Sequence, residues 1–259
     1  MRYFVFLALF GAALAVPKSH QRIAGGETAS IQDYKFFADM QYSWAGVVWG
    51  SGCGGALLTT RSVLSAANCF LGDKKEQWQV RVGSSYTGTG GSKHPVRRII
   101  LHPDYDNFHN DVAIVKLEEV VVLSSSVGLA RLAGASYILA EGARVTALGF
   151  GTVAAGGDLP EQLQQVVVTI ANQQTCATRY QELKEEGNNW PTVQDGMVCT
   201  SVIEGDVCYG DIGAPLVSER DIIYGITSWG KLCGDKDLNT VSTLVPKYVN
   251  WIVEVAENP

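Results

Sequence analysis

Metal sites, nucleic-acid surfaces and membrane spans all find little support in this sequence. It has no C-x-x-C pair and no H-E-x-x-H motif, and its four histidines (His20, His94, His102 and His109) stand apart from the cysteines, so zinc-ligand spacing is missing. Nothing in it calls for a cofactor. There is no Asn-x-Ser/Thr acceptor, no repeat of solenoid period and no low-complexity tract. Beyond residue 15 no stretch is long and apolar enough to cross a membrane. Charged residues make up only 18%, and basic ones are the scarcer kind, with 20 Lys+Arg against 26 Asp+Glu. Residues 1–22 hold Arg2, Lys18 and Arg22 and no acid, so the chain beyond them carries a formal charge of −9. A body that acidic is a poor partner for nucleic acid, heparin or anionic membranes.

What is present begins with an export signal. Met1 and Arg2 precede the apolar run YFVFLALFGAALA, which ends in the small-residue pattern Ala13-Leu14-Ala15. Charge, length and cleavage pattern fit a secretory signal peptide over residues 1–15. A secreted, extracellular protein is expected, acting in a gut lumen or body fluid. Cys53, Cys69, Cys176, Cys199, Cys208 and Cys233 suit an oxidising compartment, and an even count of six argues for three disulfides, among 15 formal connectivities.

The 46% hydrophobic content is enough for an ordinary core, and its patterning is mainly β. The segments WQVRVG (78–83), VRRIIL (96–101), VAIVKL (112–117), ARVTALGF (143–150), QQVVVTI (164–170) and IIYGITSW (222–229) are β-branched and bounded by turn residues. Two helices interrupt them. Asn172 is placed to cap QQTCATRYQEL, and PKYVNWIVEVAE opens on Pro246 with Val249, Ile252, Val253 and Ala256 as its apolar face. Many short strands and a late helix suggest closed or paired barrels. Within CYGDIGAPLV (208–217), glycines and a proline build a tight turn of the kind that presents one side chain, yet the residue presented is Ile212.

The ordered motifs RIAGGE, SVLSAANC, NDVAIVKL, CYGDIGAPL and ITSWG, followed by a terminal helix, resemble the chymotrypsin/trypsin family of serine proteases. The likeness runs from Arg22 to the end, and GGALLTTRSVLSAA and CATRYQEL resemble insect gut trypsins, those of moths above all. It implies an all-β fold of two six-stranded antiparallel β-barrels with a cleft between them and a C-terminal α-helix. It divides the chain into a signal peptide (1–15), an activation propeptide (16–22) and a protease-like domain (23–259). It also implies the pairs Cys53–Cys69, Cys176–Cys199 and Cys208–Cys233.

That family's chemistry needs a serine hydroxyl, an imidazole to take its proton and a carboxylate to orient the imidazole. Carried over position by position, AANC puts Asn68 where the base belongs, NDVAIVKL supplies the carboxylate as Asp111, and GDIGAP puts Ile212 at the nucleophile's place. Asn68 is not a base near neutral pH and Ile212 has no lone pair. His109 and His102 are expected on the surface rather than as replacements. The amide of Asn68 and the hydroxyl of Ser228 are expected to donate to Asp111, which otherwise would be a buried, unpaired acceptor. Arg22 followed by Ile23 resembles the activation site, cut by a trypsin-like protease, whose new α-amino group pairs with Asp211. The backbone N–H groups of Gly210 and Ile212 remain as an oxyanion-hole remnant. In the specificity pocket, assigned to Asp206, Ser228, Gly230 and Thr240, Asp206 stands where trypsins attract Lys or Arg, Gly230 keeps one wall open, and Thr240 replaces a glycine on the other. Ala214 replaces a further glycine.

The expected function is that of a monomeric, secreted, non-catalytic homologue that works by binding a protein partner or by capturing a protease inhibitor, with no nucleic-acid or membrane partner. The alternative is a trypsin-like endopeptidase of weak or unconventional activity.

Overall fold

The computed structural model describes residues 26–152, 158–202, 211–230 and 238–258. The expected leader and propeptide, with Arg22 and Ile23, lie outside the described residues, as do Asp206, Cys208, Gly210 and Cys233.

The strands are β1 (Glu27–Thr28), β2 (Phe37–Tyr42), β3 (Gly50–Thr59), β4 (Ser62–Ser65), β5 (Trp78–Val82), β6 (Ser92–Leu101), β7 (Ala113–Leu117), β8 (Arg131–Leu132), β9 (Arg144–Gly149), β10 (Gln164–Ile170), β11 (Met197–Val202), β12 (Pro215–Ser218), β13 (Ile222–Trp229) and β14 (Thr240–Leu244). The first barrel closes in the order β2-β3-β4-β7-β6-β5. The second runs β9-β10-β11-β14-β13-β12 and closes where β12 pairs β9. β1 adds to β10, and β8 lies parallel to β13. Two six-stranded antiparallel barrels were the expectation, and they are what the chain forms.

Alternation drives the barrel walls. In β10, Gln164, Val166, Val168 and Ile170 point inward while the residues between them are half-exposed. Each barrel has its own interior, with Met40, Val80 and Val115 in the first and Val145, Val168 and Leu216 in the second. A third core lies between them, where Phe37, Leu64 and Ile114 of the first barrel meet Leu148, Val217 and Ile226 of the second, with Ile252 of the terminal helix.

The six segments read as strands all are strands, from β5 to β13, whereas β2, β3, β4, β11, β12 and β14 carried no comparable signal. In β3 the sequence GSGCGGALLT hides its pattern behind glycines. Gly54 is one of them for a spatial reason, since a Cβ there would lie 2.6 Å from the Cα of Ala214 on the other barrel. Helix α1 (Gln173–Glu185) is capped by Asn172, whose side-chain oxygen accepts from the Thr175 N–H at 2.9 Å. Helix α2 (Val245–Glu257) starts as expected but is rotated. Its buried face is Val245, Tyr248, Ile252 and Ala256, and Val253 points to solvent because the inter-barrel core takes the Tyr248–Ile252 stripe. Cys53–Cys69 and Cys176–Cys199 are bonded, with Cα atoms 6.4 and 6.5 Å apart. The third pair lies outside the described residues.

Candidate functional site at the barrel seam

Asp111 is fully buried just before β7 and is fastened from both barrels. The backbone N–H of Asn68 donates to Oδ1 at 2.8 Å, and the Ser228 hydroxyl donates to Oδ2. Thr243 on β14 donates to the Asp111 carbonyl at 2.7 Å. Burial pushes the Asp111 carboxyl up to about 6, against the pull of the Ser228 hydroxyl and the N–H groups of Asn68 and Ala67. Ser228 reaches inward because β13 slips register against β14 between Thr227 and Trp229, and such a bulge re-aims the residue within it.

The side chain of Asn68 does something other than expected. Its amide turns away from Asp111 and donates to the Ser228 carbonyl at 2.9 Å. Only the backbone N–H of Asn68 serves Asp111, so the carboxylate is satisfied by the main chain and by Ser228.

Asp211 to Ala214 form a hydrogen-bonded turn in which the Ala214 N–H donates to the Asp211 carbonyl at 3.0 Å. Gly213 occupies the third position at φ +80°, where a side chain would be strained and would lie 2.6 Å from the Gly54 carbonyl. The turn is pinned to the first barrel by Gly54 N–H to Ile212 carbonyl at 2.8 Å, and to β13 by Gly213 N–H to Thr227 carbonyl at 2.8 Å. Ala214 has no left-handed backbone, and its methyl is fully buried against Gly54. Ile212 is half-buried and touches the interiors of both barrels and the core between them. The Cys69 sulfur lies 3.9 Å from the Ile212 carbonyl, which places Ile212 beside the Asn68–Cys69 segment.

Asp211 is buried and accepts the Gly151 N–H at 2.8 Å. The pairing expected of it with Ile23 falls outside the described residues. Gly230 and Thr240 do come together, since a Cβ on Gly230 would stand 3.2 Å from the Thr240 Cα. Asp206 and Gly210, which would complete the pocket and the oxyanion remnant, lie outside the described residues.

Two histidines are less exposed than expected. His102 packs its ring on Tyr248 and Trp251 at 5.6 and 4.8 Å, and burial lowers its pKa. His109 is half-buried with Nε2 unpaired, and no hydrogen bond joins it to Asp111 among the described residues. An aromatic corner went unread in the sequence. Tyr180 lies 4.7 Å from Trp229, Trp190 stacks on Trp229 at 6.3 Å, and Phe108 packs against this group from the loop before Asp111. The signal that would have found it is three aromatics spread over 50 residues, which no local period reveals. Among the described residues no cluster of His, Cys, Asp and Glu is arranged to hold a metal. No helix among them is long and apolar enough to cross a membrane.

The trypsin family model matches residues 23–252, which span both barrels, the seam and most of α2. The chain belongs to the trypsin family. It is similar to trypsin alkaline C of Manduca sexta, with 37% identity covering 96% of this chain and 98% of the relative. Trypsin CFT-1 of Choristoneura fumiferana is 35% identical over the same shares. Achelase-1 of Lonomia achelous is 33% identical, covering 80% of this chain and 98% of its own length. Asn68, Asp111 and Ile212 are the residues that the motifs lead one to expect at the positions of base, carboxylate and nucleophile. One hydrogen bond, from the Asn68 backbone N–H, joins the first two, and the third lies beside the Asn68–Cys69 segment.

Proposed function

We propose that this trypsin-family chain is a secreted, non-catalytic homologue that works by binding a protein, either a partner or a protease inhibitor taken up by the cleft. The observation that carries this reading is Ile212. Its alkyl side chain occupies the nucleophile's turn, offers no lone pair and is packed into three cores at once. Asn68 supports it, because its amide is committed to the Ser228 carbonyl and accepts no proton near neutral pH. Cleavage after Arg22 by a trypsin-like protease would give the working form, a monomer without cofactor.

The intact Asp111–Ser228 frame favours a second reading, a trypsin-like endopeptidase of weak activity. The two are separated with the processed protein, an Arg substrate and a serine-directed phosphonate. No turnover and no labelling are expected, and activity that Ile212→Ala abolishes would overturn the proposal. Asn68→His with Ile212→Ser together should restore turnover that neither gives alone, since the triad acts as a unit.

A further inference from the structure

The turn between β3 and β4, the middle of β6, Lys116 of β7 and the last turn of α2 enclose a pocket of about 660 Å³, on none of the residues discussed for the cleft. Arg61, Arg97, Arg98 and Lys116 line it, with Glu257 as the one carboxylate among its lining residues. This concentration of positive charge runs against the chain's formal charge of −6.

Local geometry makes the cluster deliberate in form. β6 slips register against β7 between Val96 and Arg98, which leaves Arg97 as an extra residue. In a regular strand, consecutive side chains point to opposite faces. The bulge instead lets Arg97 and Arg98 both line the pocket. Arg98 is also the direct cross-strand partner of Lys116, a like-charge pairing that sheets disfavour. Lys116 is only 7% exposed, and its ammonium is saturated by the Ser62 hydroxyl and the carbonyls of Ala256 and Asn258 at 3.0, 2.8 and 2.5 Å. Burial first, then the charges of Arg97 and Arg98, lower its pKa. Arg61 donates to the Glu118 carbonyl at 3.1 Å. Arg97 and Arg98 are exposed, and their guanidinium groups make no ion pair or hydrogen bond among the described residues.

We propose that this pocket binds a small sulfate or phosphate monoester. Planar guanidinium forks match tetrahedral oxyanions and donate to several of their oxygens at once. The volume suits a sugar-sized body behind the charged group and lies within the range of small-molecule sites. Long polyanions are disfavoured, because the acidic body around the pocket repels whatever extends beyond it.

The test is calorimetric titration of the full secreted chain at low ionic strength with glucose 6-sulfate, glucose 6-phosphate and a hexa-aspartate peptide. Both esters should bind saturably. Arg97→Gln with Arg98→Gln should weaken them by about tenfold or more, with an unliganded Tm no lower than that of the parent because a like-charge contact is relieved. Arg61→Gln, at an exposed position, should weaken them by a few fold and serves if the double variant folds poorly. Repeating the titrations from pH 5 to 8 separates the sources. Phosphate binding should strengthen as its second proton leaves near pH 6, whereas sulfate binding should not change. Absence of saturable binding, a loss below tenfold in a folded double variant, or tighter binding of hexa-aspartate than of either ester would overturn the proposal.

Discussion

Asp111 and Asp39 are both buried, 0% and 2% exposed, and burial pushes each carboxyl up to about 6. Their surroundings differ. Asp39 lies within the first barrel and is held by neighbours from that barrel alone: the Ser51 hydroxyl at 2.6 Å, the Gln41 amide at 2.8 Å, and the Arg81 charge. Asp111 is gripped by Asn68 and Ala67 from one barrel and by Ser228 and Thr243 from the other. A raised carboxyl therefore reports burial at both places and chemistry at neither. What separates them is reach, since Asp111 ties two barrels together and Asp39 ties one barrel to itself. That cross-barrel role makes an aspartate useful at the seam on structural grounds alone.

The largest effect expected from this contrast is on pH dependence, where the two sites should behave alike. A folded-state value near 6 against an unfolded value of 3.8 means that both states are protonated below pH 3.8. Between those values the unfolded chain gives up its proton while the folded one keeps it, so stability falls as pH rises through the window and levels off above it. Urea unfolding from pH 3.5 to 7.5 should show Asp111→Asn and Asp39→Asn each gaining on the parent by on the order of 3 kcal/mol as pH rises. A gain at one site only would break the equivalence.

The next effect should separate the sites. Ser228→Ala leaves an Asp111 oxygen unpaired in a dry place and should cost about 2–3 kcal/mol at pH 7, with the pH window moving upward. Ser51→Ala should cost about 1–1.5 kcal/mol, because Ser51 is half-exposed and water can take its place. Equal losses would show that the second barrel's grip on Asp111 adds nothing. The smallest effect belongs to Asn68→Ala, which removes the amide from the Ser228 carbonyl but keeps the backbone N–H on Asp111. It should cost roughly 0.5–1 kcal/mol and leave the pH window in place.

Motifs made the seam legible in the sequence. NDVAIVKL, AANC and GDIGAP pick out Asp111, Asn68 and Ile212, and the family resemblance sets Ser228 beside the carboxylate, where its hydroxyl lies. The barrels were legible where β-branched residues alternate, as in β10, and illegible in β3, where close approach to Ala214 demands glycine and glycine carries no pattern. The direction of the Asn68 amide was out of reach, because it depends on a bulge that exposes the Ser228 carbonyl 160 residues away. The outward turn of Val253 was missed for a related reason. Periodicity gives a helix a stripe, but the partner chooses which of two adjacent stripes to bury. Net charge was silent on the local cluster, since a chain-wide average says nothing of Arg97 and Arg98 brought by one bulge to a pocket that Arg61 and Lys116 also line.

Ile212 carries a consequence for how this turn tolerates change. A side chain that reaches three cores is entrenched, because each neighbour fitted to its shape makes any other side chain a worse fit. A substitution there loosens both barrels and their joint in one step, and recovering the packing takes matching changes in three places. One substitution at a time yields only the loss. The turn works as a ratchet on its own packing, easier to keep than to exchange.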